Sequence, residues 1–166
     1  LNSGHSLTKL IKVLDEIGVH HDGEFWLRML YTYPRGLNKN LVRAVAKSNH
    51  VVPYLDIPLQ HISDKILQKM KRGKGGDSTR RLILGLRDEI ADLTIRTVFI
   101  TGLPGETDRD FDKLCDFVEE ARFDHMGVFT FSPEENTPAA TMKNQVPHEI
   151  AEQRKQHLMM IQKEIS

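Results

Sequence analysis

Hydrophobic positions along this 166-residue chain alternate between helical spacing and short continuous runs. Behind Ser6, a residue type that caps helices, apolar residues recur every three or four positions, which predicts an amphipathic helix ending at Gly18. Its inward positions are Leu7, Leu10, Ile11, Leu14 and Ile17. Residues 25–33 are aromatic and apolar and stop at Pro34, as expected of a buried strand.

The rest of the chain repeats this order. Residues 51–59, 94–101 and 126–131 predict three more strands. Helices are predicted where apolar residues recur near 41–45, 66–70, 82–90, 111–118 and 150–165, with a flexible loop at 71–78. Such alternation indicates an α/β fold of parallel strands joined by right-handed crossovers. Four parallel strands cannot close a barrel, so either the sheet is open or strands are missing on its N-terminal side.

The balance of charged residues excludes a strong net electrostatic field around the chain. Lys plus Arg number 23 and so do Asp plus Glu, so nucleic acid is an unlikely partner for the whole surface, and a charged partner must be met locally. No apolar run approaches the roughly 20 residues of a membrane span, which predicts a cytoplasmic protein without a membrane partner. The single cysteine, Cys115, cannot build a disulfide or a cluster alone, and its helical position predicts an inert core thiol.

Unusual residues gather where the predicted strands end, which is where parallel α/β folds bind ligands. The turn from Gly102 to Thr107 has two glycines, a stiffening Pro104 and the start of a helix capped by Thr107 with Asp110. It could seat a nucleoside or a carboxylate, or it could be only a tight connection.

Other polar residues carry two interpretations each. Gln60 and His61 could bind a ribose or cap the following helix. Arg96 lies in an apolar strand and must be paired or face a cavity. The basic residues near Arg72 favour a solvated helix end over a ligand site, and the pair His20 and His21 favours a solvated loop over a metal site.

Four segments resemble the radical S-adenosylmethionine methylthiotransferases. They are YLDIPLQH at 54–61, MKRG at 70–73, RTVFITGLPGET at 96–107 and FSPEENTPA at 131–139. Within that family, PLQH and SPEE resemble the enzymes that modify an aspartate of a ribosomal protein, whereas the tRNA-modifying relatives typically carry Arg after Ser-Pro.

The resemblance implies a fold and a reaction. The fold is a partial (β/α) TIM-like barrel of six units, of which residues 1–166 supply strands three to six. The reaction uses S-adenosylmethionine and a 4Fe-4S cluster to attach a methylthio group to the β-carbon of an aspartate in small-subunit ribosomal protein S-twelve. A second cluster in an N-terminal domain, a possible sulfur donor and a small C-terminal TRAM-like domain complete the expectation.

The resemblance also implies site residues, assigned by their positions in the matching motifs. The resemblance assigns to the cofactor Gln60, His61, Arg72, Arg96, Ile100, Gly102, Pro104, Gly105 and Glu106. It assigns to the substrate Ser132, Glu134 and Glu135.

Two departures limit the resemblance. The three-cysteine motif that holds the cluster is absent, and Asn136 stands where the family usually has Gly, which is tolerable because Asn can adopt a left-handed conformation. The chain is therefore interpreted as a truncated core domain of an enzyme, inactive alone. The alternatives are a fragment of the tRNA methylthiotransferase and a cluster-free binding module.

Overall fold

The sheet has four parallel strands whose spatial order follows the chain. The computed structural model describes residues 6–20, 25–72, 75–134 and 137–166. The strands are β1 (Leu27–Met29), β2 (Val51–Asp56), β3 (Thr94–Thr101) and β4 (His125–Thr130). The helices are α1 (Leu7–His20), α2 (Lys39–Lys47), α3 (Asp64–Lys69), α4 (Gly76–Glu89), α5 (Asp108–Ala121) and α6 (His148–Ile165). Sequential parallel order is the arrangement of a barrel segment, so the predicted fold class is confirmed.

One face of the sheet carries the core. Along β3 every second side chain is buried, from Ile95 through Phe99 to Thr101. Phe99 meets Phe117 and Phe123 edge to face, with ring centroids 5.6–6.4 Å apart within this trio. The alternate side chains, among them Arg96, are half-buried on the helix-free face. The strand pattern thus separates packing on one face from chemistry on the other.

The first strand is much shorter than predicted. Of residues 25–33, only Leu27–Met29 pair as a strand. Tyr31 adopts a left-handed φ of 53°, and a 3-10 turn begins at Pro34. The backbone of Thr32 still donates to the carbonyl of Asp56, at 2.7 Å. The segment therefore runs beside β2 without continuing the hydrogen-bond ladder between β1 and β2.

The first helix differs from its prediction in two ways. It continues past Gly18 to His20, and of the apolar positions only Ile11 is buried. Leu10 is 52% exposed, and Leu7 and Ile17 are similar. Helical spacing marked an apolar face correctly, but spacing does not say whether a neighbour covers that face.

The loop predicted at 71–78 is shorter than expected because α4 already begins at Gly76. A side chain at Gly76 would collide with the carbonyl oxygen of Ile62, so glycine lets the helix start against the segment between β2 and α3. The predicted capping box of Thr107 and Asp110 is confirmed. No helix among the described residues has both the length and the apolar character needed to cross a lipid bilayer.

Candidate functional site

A cleft of about 480 Å³ opens on the helix-free face near the carboxyl ends of the strands. It brings together Gln60, Arg72 and Arg96, three residues that the sequence assigned to the cofactor. Its other lining residues are Tyr31, Thr32, Tyr33, Pro58, Val98 and Phe129. Cations and an amide thus share one cleft with aromatic walls.

Arg96 is both paired and facing this cleft. It lies opposite Asp56 in the register of β2 and β3, and its Nη1 donates to Asp56 Oδ1 at 2.9 Å. The Asp56 side chain is only 3% exposed, whereas Arg96 is 41% exposed. Asp56 does not itself line the cleft, and it is the partner of Arg96 that the sequence analysis did not name.

Gln60 is held by its backbone on both sides. Its N–H donates to Val98 at 2.8 Å, and its carbonyl accepts from the N–H of Ile100 at 2.9 Å. These bonds fix a left-handed φ of 72°, which costs a non-glycine residue about 1 kcal/mol. The strain is consistent with a functional position, because it directs the chain after β2 along the cleft. Ile100 itself pairs with Phe129 in the register of β3 and β4.

Arg72 lies at the cleft wall beyond α3. Its guanidinium lies over the ring of Tyr33, 5.2 Å from the centroid. Such a contact orients the cation and leaves the N–H donors, which lie in the plane of the guanidinium group, available to a ligand. Arg72 and Arg96 therefore present two cations to one cleft.

The glycine turn after β3 does not line the cleft, and its backbone groups are hydrogen-bonded internally. Gly102 and Gly105 both have a φ of 81°, as the turn requires. The N–H groups of Gly102 and Leu103 donate to Glu106 Oε2 at 2.8 and 3.3 Å. The carbonyl of Pro104 accepts from Lys69 Nζ at 2.6 Å. The amides expected to meet a ligand therefore bind the turn's own carboxylate.

Glu106 also joins this turn to α6. Arg154 Nη1 donates to Glu106 Oε1 at 2.8 Å, and both side chains are buried. His61 is wholly buried, and its Nδ1 accepts from the N–H of Ser63 at 3.0 Å. Its Nε2 must then carry the hydrogen of the neutral ring, and this atom lies 3.7 Å from Glu106 Oε2. His61 thus faces the interior, and Arg154 is a partner that sequence reasoning missed.

A second buried carboxylate links α3 to α5. The hydroxyl of Ser63 donates to Asp110 Oδ1 at 2.6 Å instead of capping its own helix. Partial burial opposes the charged form, yet hydrogen bonds from Ser63 and Thr107 and the charge of Lys65 hold the pKa of Asp110 below its ordinary range. The start of α5 is therefore anchored to the segment that follows Gln60.

The end of β4 is the most open part of the predicted site. Ser132 and Glu134 are exposed. The Glu134 carbonyl accepts from the hydroxyl of Thr137 at 2.8 Å. Glu135, Asn136 and His21 lie outside the described residues.

The residues present do not fit a 4Fe-4S cluster. Burial first, and then Asp112, Asp116 and Glu119, raise the pKa of Cys115 to about 12, so this sole thiol is not a thiolate at neutral pH. Within the described ranges no three His, Cys, Asp or Glu side chains are grouped to hold a metal ion. The cleft itself is lined by two guanidinium groups and an amide beside aromatic and apolar walls.

Comparisons with known proteins agree with this architecture. The family model of the radical SAM superfamily matches residues 5–118. A relative from Heliobacterium modesticaldum, the ribosomal protein uS12 methylthiotransferase RimO, is 48% identical over 87% of this chain and 32% of its own length. The protein of that name from Geotalea uraniireducens is 46% identical over 100% of this chain and 36% of its own length. The chain spans about a third of the length of these curated relatives.

Solved structures share the fold at low identity. The radical SAM enzyme coproporphyrinogen III oxidase (HemN) from Escherichia coli is 17% identical, with a TM-score of 0.66 over 93% of this chain and 36% of its own. The radical S-adenosylmethionine methyltransferase TsrM from Kitasatospora setae, solved with cobalamin and a [4Fe-4S] cluster, gives a TM-score of 0.60 over 74% of this chain and 24% of its own. Since the family model covers more than half of its residues and its relatives at 42–49% identity are methylthiotransferases, this chain belongs to the radical SAM superfamily, on the methylthiotransferase branch.

Proposed function

We propose that this chain is the central barrel segment of a radical SAM enzyme that attaches a methylthio group to the β-carbon of an aspartate in small-subunit ribosomal protein S12. The observation that carries the proposal is the cleft at the strand ends. There Gln60, Arg72 and Arg96 meet, from three separate motifs of the methylthiotransferase pattern.

Each cleft residue has a role that its chemistry suits. Arg72 and Arg96 would bind the carboxylate of S-adenosylmethionine, because paired guanidinium donors match a carboxylate. Asp56 would hold Arg96 in place through their ion pair, and the Gln60 amide would bind a hydroxyl. When bound beside its cluster, S-adenosylmethionine supplies the one-electron chemistry that opens a C–H bond. His61 and Glu106, which face the interior, would position the turn beside the ligand.

The substrate side is proposed at the end of β4. Ser132, Glu134 and Glu135 would meet a basic segment of the ribosomal protein, because carboxylates attract cations and disfavour a phosphate backbone. Such a substrate would place the reaction in the cytoplasm. The cluster ligands, the sulfur donor and the flanking domains would lie outside these 166 residues, so the chain alone would be inactive.

A segment exchange tests the function. This chain would replace the matching segment of the Geotalea relative, with which it aligns over all 166 residues at 46% identity. The purified chimera, reconstituted without oxygen, is expected to methylthiolate S12, detected by mass spectrometry of the digested protein. The unmodified relative is the positive control, and the isolated chain is expected to hold no cluster in Mössbauer spectra.

Other outcomes are informative. A methylthio group found on tRNA would favour the tRNA-modifying alternative, and a folded chimera that cleaves no S-adenosylmethionine would favour the binding module.

Within an active chimera, Gln60→Ala is expected to weaken cofactor binding by about 1–3 kcal/mol. Glu134→Gln is expected to slow S12 modification while cofactor cleavage continues. The reverse pattern would contradict the assignment of these two residues.

A further inference from the structure

A groove between α1 and α2 concentrates positive charge. Its volume is about 620 Å³. Lys9 and Lys12 line it from α1, and Arg43 and Lys47 line it from α2. Ser6, Thr8, Asn38, Asn40, Ala44 and Asp15 complete the lining. Four cations therefore share one groove in a chain whose total charge is zero.

Asp15, the one carboxylate among the described residues that line the groove, is already engaged. Asp15 Oδ1 accepts from the hydroxyl of Ser48 at 2.6 Å and lies 3.0 Å from His50 Nδ1. Among the described residues no carboxylate lies within ion-pair distance of Lys12, Arg43 or Lys47. The charges of Lys12, Arg43 and Lys47 are thus left for a partner.

The cations form two facing rows. Arg43 and Lys47 are four residues apart on one face of α2, about 6 Å along the helix axis. Both helices begin at the same end of the groove, where Ser6 and Asn38 cap them. The positive ends of two helix dipoles add to the field there. Two rows of point charges along a groove suit the repeating phosphates of a polymer.

The groove also leads to an exposed aromatic ring. Ser6, Thr8 and Asn38 line an adjoining pocket of about 550 Å³, which contains Arg28 and Tyr31. The Tyr31 side chain is 78% exposed and also lines the candidate cleft. Phosphate contacts followed by a stacking ring are the recognition chemistry of single-stranded nucleic acid. A flat bilayer would meet the helix ridges and not the groove between them.

We propose that this groove binds the phosphate backbone of a single-stranded RNA segment and that Tyr31 stacks on one of its bases. The inference goes beyond the proposed function and rests on the charges of the groove and on the exposed ring of Tyr31. It also revises the expectation that nucleic acid is an unlikely partner, because that expectation rested on net charge and the groove is a local excess.

Fluorescence anisotropy of the full 166-residue chain with a labelled oligouridine of about 12 nucleotides tests this proposal. The groove variant is Lys12→Gln, Arg43→Gln and Lys47→Gln together. The matched control is Arg109→Gln, Lys113→Gln and Lys163→Gln, which removes equal charge from exposed positions on α5 and α6. Circular dichroism melting verifies that both variants fold.

The groove variant is expected to lose at least about tenfold in affinity, and the slope of log affinity against log salt should fall by about 2. The control should stay within about twofold of the parent chain, while Tyr31→Ala should weaken binding on the order of tenfold. Equal losses in groove and control variants would overturn the proposal, as would an absence of RNA binding. Binding to phosphatidylserine vesicles with no binding to RNA would assign the groove to a membrane instead.

Discussion

Glu106 shows how a single carboxylate can organise a turn that sequence alone presents as a ligand site. It accepts from two turn amides and from Arg154, while His61 Nε2 lies 3.7 Å from the carboxylate oxygen that accepts the amides. A buried carboxylate needs such partners, because its desolvation is otherwise uncompensated. The turn is therefore shaped before any ligand arrives.

Removing Arg154 should expose the cost of that burial. Arg154→Met leaves the Glu106 charge buried without its cation, and the free energy of unfolding should fall by about 3–5 kcal/mol in urea denaturation. The control is Arg80→Met, because Arg80 pairs with Glu120 while both are more than a third exposed. That change should cost less than about 1 kcal/mol. Similar losses in the two variants would contradict a special role for the buried pair.

Asp110 should make the free energy of unfolding depend on pH in the acidic range. Its pKa is lowered in the folded chain, whereas the unfolded chain titrates near about 3.9. The unfolded state therefore binds the proton first as pH falls, so the contribution of Asp110 is present above about pH 4 and is lost below it. Asp110→Asn lacks this contribution at every pH.

Thermal unfolding followed from about pH 5 to about pH 2 measures the difference. The parent chain should lose stability more steeply than Asp110→Asn, and the two curves should converge in acid. Asp124 also has a lowered pKa, but it is present in both proteins and cancels in the comparison. Parallel curves over this range would show that Ser63 and Thr107 do not favour the charged form.

Among the elements, α1 depends on Gly18 to pack against the ring of His50. A side chain at Gly18 would collide with the ring of His50, which stacks on Phe25 at 4.4 Å and contacts Asp15. Gly18→Ala should therefore lower the free energy of unfolding by about 1–3 kcal/mol. Gly85→Ala is the control, because nothing lies within 4 Å of its added carbon, and helix propensity should make it stabilising by up to about 1 kcal/mol. Differential scanning calorimetry of both variants decides whether the collision matters.

Elements with strong local signals were predictable. The β-branched run of β3 gave its bounds, and the Thr107 capping box gave the start of α5, because both depend on neighbouring residues. Residues 25–33 misled because aromatic content favours a strand, while the left-handed Tyr31 ends it. Local pattern does not determine such a backbone reversal.

The candidate site was predictable only in part for a similar reason. Gln60, Arg72 and Arg96, which the resemblance assigned to one ligand, share a cleft, whereas the glycine turn at the end of β3 does not line it. His61 and Glu106 face the interior, because Arg154, 48 residues after Glu106, draws the carboxylate toward α6. Partners this distant in sequence depend on the packing of whole elements, which no motif records.

At the scale of the whole molecule, the sheet is asymmetric. Helices cover one face, while the other carries the cleft and exposed aromatic side chains such as Tyr31 and Phe129. Within the described residues, β1 and β4 each have one edge without a strand partner. The three residues of β1 offer a poor template, whereas β4 presents six.

These edges predict how the isolated chain associates. Open edges pair with other chains, and the longer β4 edge should dominate. Phe129 beside that edge is 61% exposed, and Leu30 beside β1 is 57% exposed, so they form a matched pair. Sedimentation velocity should show concentration-dependent association of the parent chain. Phe129→Lys should abolish this association, because a charge on an edge strand opposes pairing, and Leu30→Lys should leave it in place. Loss of association in Leu30→Lys alone would assign the contact to β1, and a parent chain that stays monomeric at every concentration would show that neither edge is available for pairing.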